Sequence, residues 1–275
     1  MEEGRDLKPK LRSRFRMKIG SLFFIIKRHC EWRFSKRSFA CRYDNGTVGY
    51  PHRCYFHQTP LFRHLANTEM WMQQNKVVNL KLACARLDGV VLHPGETLSF
   101  WHQVGKPTRR KGYREGMVLC EGRVVPGVGG GLCQLSNLIY WMTLHTELTV
   151  AERWRHNYDI FPDTGRTQPF GSGATVSYNY IDLQIRNETS NAYRLQLWLT
   201  ETDLCGEWRS QRPPSYSFEV YEKEHLITHE PWGGYVRHNL IHRRVYNNPG
   251  EQVADELVAE NHAITMYQPF LAPAR

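Results

Sequence analysis

The chain has no Cys-x-x-Cys pair, no apolar run of membrane-spanning length, no internal repeat and no low-complexity tract. Its seven cysteines, at positions 30, 41, 54, 84, 120, 133 and 205, are odd in number and widely spaced. That argues against a disulfide framework and a thiolate zinc site, and fits a reducing compartment. The longest apolar run, Ile19 to Ile26, is far short of the roughly 20 residues needed to cross a bilayer. Charged and bulky residues follow it with no small-residue cleavage site, so it does not read as a signal peptide. The expected location is cytoplasmic, peripheral at the inner membrane face.

Other absences narrow the chemistry. The glycine-rich stretch lacks the Gly-Lys-Ser/Thr ending of a P-loop and the spacing of a dinucleotide fingerprint. His225/His229 and His238/His242 have the i, i+4 spacing of helical metal ligands, but no Glu follows the first His of either pair. Their surroundings read as strand, where four residues span about 13 Å, too far for one ion. No metal set and no cofactor is indicated.

Charge is abundant but uneven. Residues 1 to 40 hold twelve Lys/Arg against four Asp/Glu, a balance of +8 out of the net +9. Within residues 7–37, Leu11, Phe15, Ile19, Leu22, Phe23 and Ile26 recur at spacings of three and four, among Lys10, Arg12, Arg14, Arg16, Lys18, Lys27 and Arg28. The pattern predicts a basic amphipathic helix, suited either to an anionic membrane surface or to docking on the domain with a solvated basic face. Aromatic interleaving and a known motif are lacking, so nucleic acid is the poorer partner.

The rest of the chain is organised around Pro126 to His145. Gly129, Gly130 and Gly131 run into Leu135, Leu138, Ile139 and Met142, an i, i+3, i+4, i+7 pattern of a helix with one buried face. Cys133 falls in the first helical turn, where free N–H groups and the dipole favour an anion. Its thiol is expected to be acidified. Free Cys is also among the most buried residue types, so a tight structural turn is the competing reading.

Around this unit, Arg42 to Leu65 reads as irregular and a helix spans about Thr68 to Leu87. Short strands are expected at Val90–Leu92 and Thr97–Trp101, then a basic loop from Gly105 to Gly116. One strand, Met117 to Val125, should lead into the glycines, and Thr149 to Tyr158 looks extended. Ala174–Arg186 and Tyr193–Thr200 read as a strand pair joined by Asn187–Asn191. Further strands are expected at Ser217–Glu222, Tyr235–Tyr246 and Ala263–Tyr267. Helices first and hairpins later predict an α+β fold: the Gly-turn helix on a mainly antiparallel sheet, preceded by the basic helix.

Several of these motifs carry a family likeness. The run Gly129-Gly-Gly-Leu-Cys-Gln-Leu-Ser136 resembles the signature of the VanW family. So do Pro94-Gly-Glu-Thr-Leu-Ser-Phe100, Glu152-Arg-Trp-Arg-His156, Gly173-Ala-Thr-Val-Ser-Tyr178, Trp232–Asn239 and Glu260-Asn-His262. The likeness spans residues 67–271, leaving 1–40 as a separate basic segment. It implies a part in glycopeptide resistance and the bacterial cell wall, without a settled reaction. Many relatives carry an acid where this chain has Gly173.

A thiolate nucleophile needs a base, and the base an orienting partner. His145 is at the far end of the Cys133 helix, too distant along its axis. His156, inside a family motif, and Asp182 complete a candidate Cys133, His156, Asp182 triad, in the Cys…His…Asp order of transglutaminase-like and papain-like folds. Gln134, Ser136 and Asn137 would supply oxyanion donors or cap the helix, with Gly129, Gly130 and Gly131 forming the cradle. The expected function is an accessory protein of glycopeptide resistance, using Cys133 to hydrolyse or transfer an amide of a cell-wall peptide or precursor. The alternative is a non-catalytic module that holds a peptidoglycan fragment or a protein partner.

Overall fold

The structure is a computed structural model, which describes residues 13–44, 46, 48–62, 69–120, 123–160 and 168–270. The helices are α1 Arg14–Phe34, α2 Met70–Leu87, α3 Phe100–Val104 and α4 Cys133–Leu144. The first strands are β1 Ser38–Phe39, β2 Arg42–Tyr43, β3 His52–Pro60, β4 Val90–Leu92, β5 Glu96–Ser99, β6 Glu115–Cys120 and β7 Arg123–Val128. There follow β8 Thr149–Glu152, β9 Tyr158–Asp159, β10 Gln184–Arg186, β11 Tyr193–Leu199, β12 Asp203–Ser210, β13 Tyr216–His229, β14 Tyr235–Asn247 and β15 Gln252–Thr265. The strands pair in the orders β1-β5-β10-β8, β2-β4-β11-β12-β3 and β13-β14-β15-β9, with β6-β7 a separate hairpin. Among the described residues, all pairings are antiparallel except β1 with β5 and β15 with β9. The fold is α+β.

The amphipathic pattern of α4 buries Leu135, Leu138, Ile139 and Met142, and the helix packs on β3 and β12. Its close approach depends on Gly206 of β12, where a Cβ would lie 2.8 Å from Leu197 Cδ2 and 2.9 Å from Met142 Cε. Beside it, the Trp208 indole N–H donates to Thr143 Oγ1 at 3.1 Å, which satisfies the one polar atom of a fully buried ring. The main cluster then joins α2, α3, α4 and the inner faces of the first two sheets.

Four expectations are corrected. β3 is a nine-residue edge strand inside the stretch read as irregular. Its sequence, HRCYFHQTP, has no apolar alternation because the positions turned toward α4 include the polar His57 and Thr59, which meet Trp141 and Gln134. Ser99 ends β5 by accepting a hydrogen bond from His102 N–H at 3.2 Å, so Phe100 and Trp101 start α3 rather than prolong a strand. The single strand read over Met117–Val125 is the β6–β7 hairpin.

The fourth correction concerns β10 and β11: β10 covers only the end of the strand expected over Ala174–Arg186, and the two lie in different sheets rather than forming one hairpin. Asn187, buried between them, donates from Nδ2 to Leu92 O (2.9 Å) and Asn191 O (2.7 Å). Its Oδ1 accepts from Thr189 N–H and Oγ–H. That knot turns the chain from one sheet into the next. The α2 helix runs to Leu87 as expected, while Thr68 lies outside the described residues.

The glycine turn is fixed by two backbones that nearly touch. A Cβ on Gly130 would lie 2.2 Å from Gly116 C, and one on Gly116 would lie 2.7 Å from Gly130 O. Asn79 of α2, wholly buried, locks the crossing. Its Nδ2 donates to Gly130 O (2.9 Å) and Arg114 O (3.0 Å), and its Oδ1 accepts from Arg114 N–H (2.8 Å). Asn79→Ala would leave Gly130 O and Arg114 N–H without these partners, at about 1–3 kcal/mol each. Urea unfolding of the variant should therefore lose about 2–6 kcal/mol; a loss below about 0.5 kcal/mol, the size of an ordinary surface change, would contradict the role given to Asn79.

Candidate functional site

Cys133 opens α4 as the sequence predicts. Gly129 and Gly131 have φ of +79° and +92°, a region that side chains disfavour, and this lets β7 turn directly into the helix. A Cβ on Gly131 would also lie 2.2 Å from Lys76 Cγ. Leu132, in helical conformation, precedes the helix and offers no side-chain cap. The first N–H groups are instead taken up locally: Gln134 N–H donates to Gly131 O, and those of Leu135 and Ser136 to Leu132 O, at 3.0 to 3.2 Å.

Cys133 is half-buried, packed against the main core, and its Sγ–H donates to Val176 O at 3.7 Å. The expected acidification is not found. Burial pushes this thiol up, because the thiolate loses more hydration than the helix start returns. The side chains beside it are also engaged. Gln134 Nε2 donates to Thr59 Oγ1 and Pro60 O, both at 2.9 Å, and Ser136 Oγ donates to Ala174 O at 2.6 Å. These two residues tie α4 to its neighbours and are not free as oxyanion donors. Asn137 differs: Oδ1 accepts from Ala174 N–H at 2.7 Å, while Nδ2 has no hydrogen bond among the described residues. Asn137 stands one turn beyond Cys133 on the same helix face.

His156 is half-buried, and burial, with Arg155 adding to it, lowers its pKa, so the ring is neutral at neutral pH. Its segment is bound to the one that holds the sulfur: Thr175 N–H donates to Trp154 O at 2.7 Å, next to the Val176 carbonyl that Cys133 uses. Among the described residues, His156 has no hydrogen bond to Cys133 or to Asp182.

Asp182 is not part of that neighbourhood's bonding. Its carboxylate accepts from Ser99 Oγ–H (2.5 Å), Trp101 N–H (3.1 Å) and Leu183 N–H (3.0 Å). It secures the start of α3 to the segment before β10, while burial raises its pKa to about 7 and Arg28 only partly opposes this.

A second constellation was missed in the sequence. Arg153 donates from Nε to Gly173 O (2.9 Å) and from Nη2 to Gly171 O and to Asn261 Oδ1. Asn261 Nδ2 donates to Asn239 Oδ1 (2.9 Å), and Asn239 Nδ2 to Phe170 O (2.5 Å) and Glu222 Oε1 (2.6 Å). The Phe170 ring lies under both Arg155 and Arg237. The sequence held one signal for this network: Arg153, Asn239 and Asn261 each fall in a family motif. They clamp the segment behind Cys133 to the C-terminal sheet.

Comparisons with known proteins bear on the same region. A family model described as "VanW like protein" matches residues 75–209, from α2 through β12. The chain is 32% identical over 207 residues to the "Vancomycin B-type resistance protein VanW" of Enterococcus faecalis (strain ATCC 700802 / V583), covering 75% of each chain. It is 33% identical over 110 residues to the "Uncharacterized protein YoaR" of Bacillus subtilis (strain 168), covering 40% of this chain and 35% of that one. No solved structure matches.

Asp182 makes stability depend on pH in a predictable direction. Its folded-state pKa of about 7 exceeds the ordinary 3.8, so between those values the folded chain keeps a proton that the unfolded chain has lost. Stability should fall as pH rises through this window. Asp182→Asn cannot titrate, so its urea midpoint should fall less than that of the wild type between pH 5 and about 7.5. Parallel profiles would refute the assignment.

Proposed function

The chain belongs to the VanW family, and from that premise we propose that it serves glycopeptide resistance as an accessory protein of cell-wall metabolism, using Cys133 to hydrolyse or transfer an amide of a cell-wall peptide or precursor. The observation that carries this reading is a partly buried cysteine opening α4, with the segment of a neutral imidazole bonded to the segment that holds its thiol. The family premise supports the coarser role; the thiol chemistry rests on local geometry alone.

The raised thiol pKa fixes how such a site works. A resting thiolate is disfavoured, so the proton must leave as the carbon–sulfur bond forms. In the proposed reaction Cys133 Sγ attacks the amide carbonyl and its proton passes to His156. The tetrahedral oxyanion accepts a hydrogen bond from Asn137 Nδ2, the helix-start side-chain donor with no other bond among the described residues. The C–N bond then breaks, the leaving amine takes the proton from His156, and a thioester remains on Cys133. Water or an acceptor amine attacks the thioester and restores the thiol. Asp182 has no part, since its oxygens serve Ser99, Trp101 and Leu183.

One observation favours a non-catalytic binding module instead: the Cys133 hydrogen is already bonded to Val176 O. Mass spectrometry of the full chain incubated with a stem-peptide muropeptide and a free amine separates the two readings. The catalytic reading predicts cleavage or amine exchange that is abolished in Cys133→Ala. His156→Ala should be slower by about 10²–10⁴-fold, and Asn137→Ala by about 10²-fold or more. It also predicts activity that is kept at neutral pH and lost only in acid below the ordinary imidazole range, as His156 becomes protonated. Turnover by Cys133→Ala equal to the wild type would overturn it. Equal muropeptide binding by both proteins without turnover would leave the binding module.

A further inference from the structure

Helix α1 has three faces with different fates. One is docked: Arg28, only 7% exposed, donates to Glu152 and Tyr180 O, Phe24 stacks on Tyr180, and Trp32 meets His102 edge-on. At 3.6 residues per turn, the side opposite Arg28 carries Phe15, Ile19, Leu22, Phe23 and Ile26. These five are 75%, 53%, 58%, 62% and 55% exposed. Arg16 and Lys27, both exposed, stand at one rim of that stripe. The docked alternative raised by the sequence would have buried these residues, and here the helix docks by another face.

We infer that the outward stripe of α1 lies in the headgroup region of an anionic lipid bilayer, so that the chain is a peripheral membrane protein. An apolar band with cations at its margin is the arrangement that places hydrocarbon below the headgroups and positive charge among them. No described helix is long and apolar enough to cross a membrane, so α1 lies on the surface. Charge selects the occupant. Glu31 is the only acid between residues 13 and 34, and it is held by Arg28 and Arg37. A second copy stacked stripe to stripe would bring cationic margins together with no acid to meet them, whereas anionic lipid complements both features. The docked face also reaches the candidate site: the Tyr178 hydroxyl is 3.4 Å from His29 Nε2, two residues from the Val176 carbonyl that receives Cys133. The inference stands independently of the thiol chemistry.

Vesicle co-sedimentation of the full chain tests it, with phosphatidylcholine alone and with added phosphatidylglycerol. Binding to the anionic vesicles should exceed binding to neutral ones by about tenfold or more and weaken with salt. Leu22→Ser with Phe23→Ser should abolish it, and Arg16→Glu with Lys27→Glu should remove the anionic preference, each with an unchanged circular dichroism spectrum. No binding to either vesicle, or binding that both double variants retain, would overturn the inference. So would a dimer in sedimentation velocity that Leu22→Ser with Phe23→Ser dissolves, since the stripe would then belong to a second copy.

Discussion

Two main-chain segments cross at Gly116 and Gly130 with no room for a side chain on either. Neither residue could be replaced without moving backbone. Asn79 makes the contact permanent by bonding both partners from α2. A helix, a hairpin and the start of α4 thus meet at one point held by glycine and one amide. Where α4 begins, and hence where Cys133 stands, follows from that crossing. The burial of α4 against Gly206 and Trp208 of β12 then sets its direction.

The segment from Gly171 to Leu183 joins the remaining parts. Cys133, Ser136 and Asn137 hold its middle, Arg153 its first residues, and Trp101 and Arg28 its end. So many outside partners for its backbone explain why it is largely irregular where a long strand was expected. They also place a dry thiol beside a neutral-imidazole segment. At Gly173, a Cβ would sit 2.7 Å from Asn137 Oδ1. Asn137 fills the space in this chain, so the polar group near Cys133 comes from the helix rather than from the facing segment.

Much of the skeleton was legible in the sequence because one-sided burial leaves a period. The stripes of α2 and α4 and the alternation Tyr193, Leu195, Leu197 of β11 mark elements whose apolar faces meet the core. β3 left no such mark, since inward positions such as His57 and Thr59 are polar although they meet α4. The partners of β10 and β11 were equally hidden, because the side-chain knot of Asn187 that separates them looks in sequence like an ordinary polar turn. At the site, local signals located Cys133 at the helix start and placed His156 on the adjoining segment. Asp182 was misplaced because chain order says nothing of Ser99 and the Trp101 amide, which claim its oxygens. The thiol shift was misjudged for a related reason. Helix position can be read from sequence, while the packing that outweighs it depends on contacts with Val176 and the core.

The central claim is that the glycine crossing creates the surroundings of Cys133, and thiol alkylation against pH in Gly130→Ala tests it most directly. A methyl group there must push apart two backbones now too close to admit it. The start of α4 should open, and iodoacetamide should modify Cys133 faster than in the wild type, with a midpoint moved down toward an ordinary thiol. An unchanged rate and midpoint in a folded variant would mean that the crossing does not govern the site.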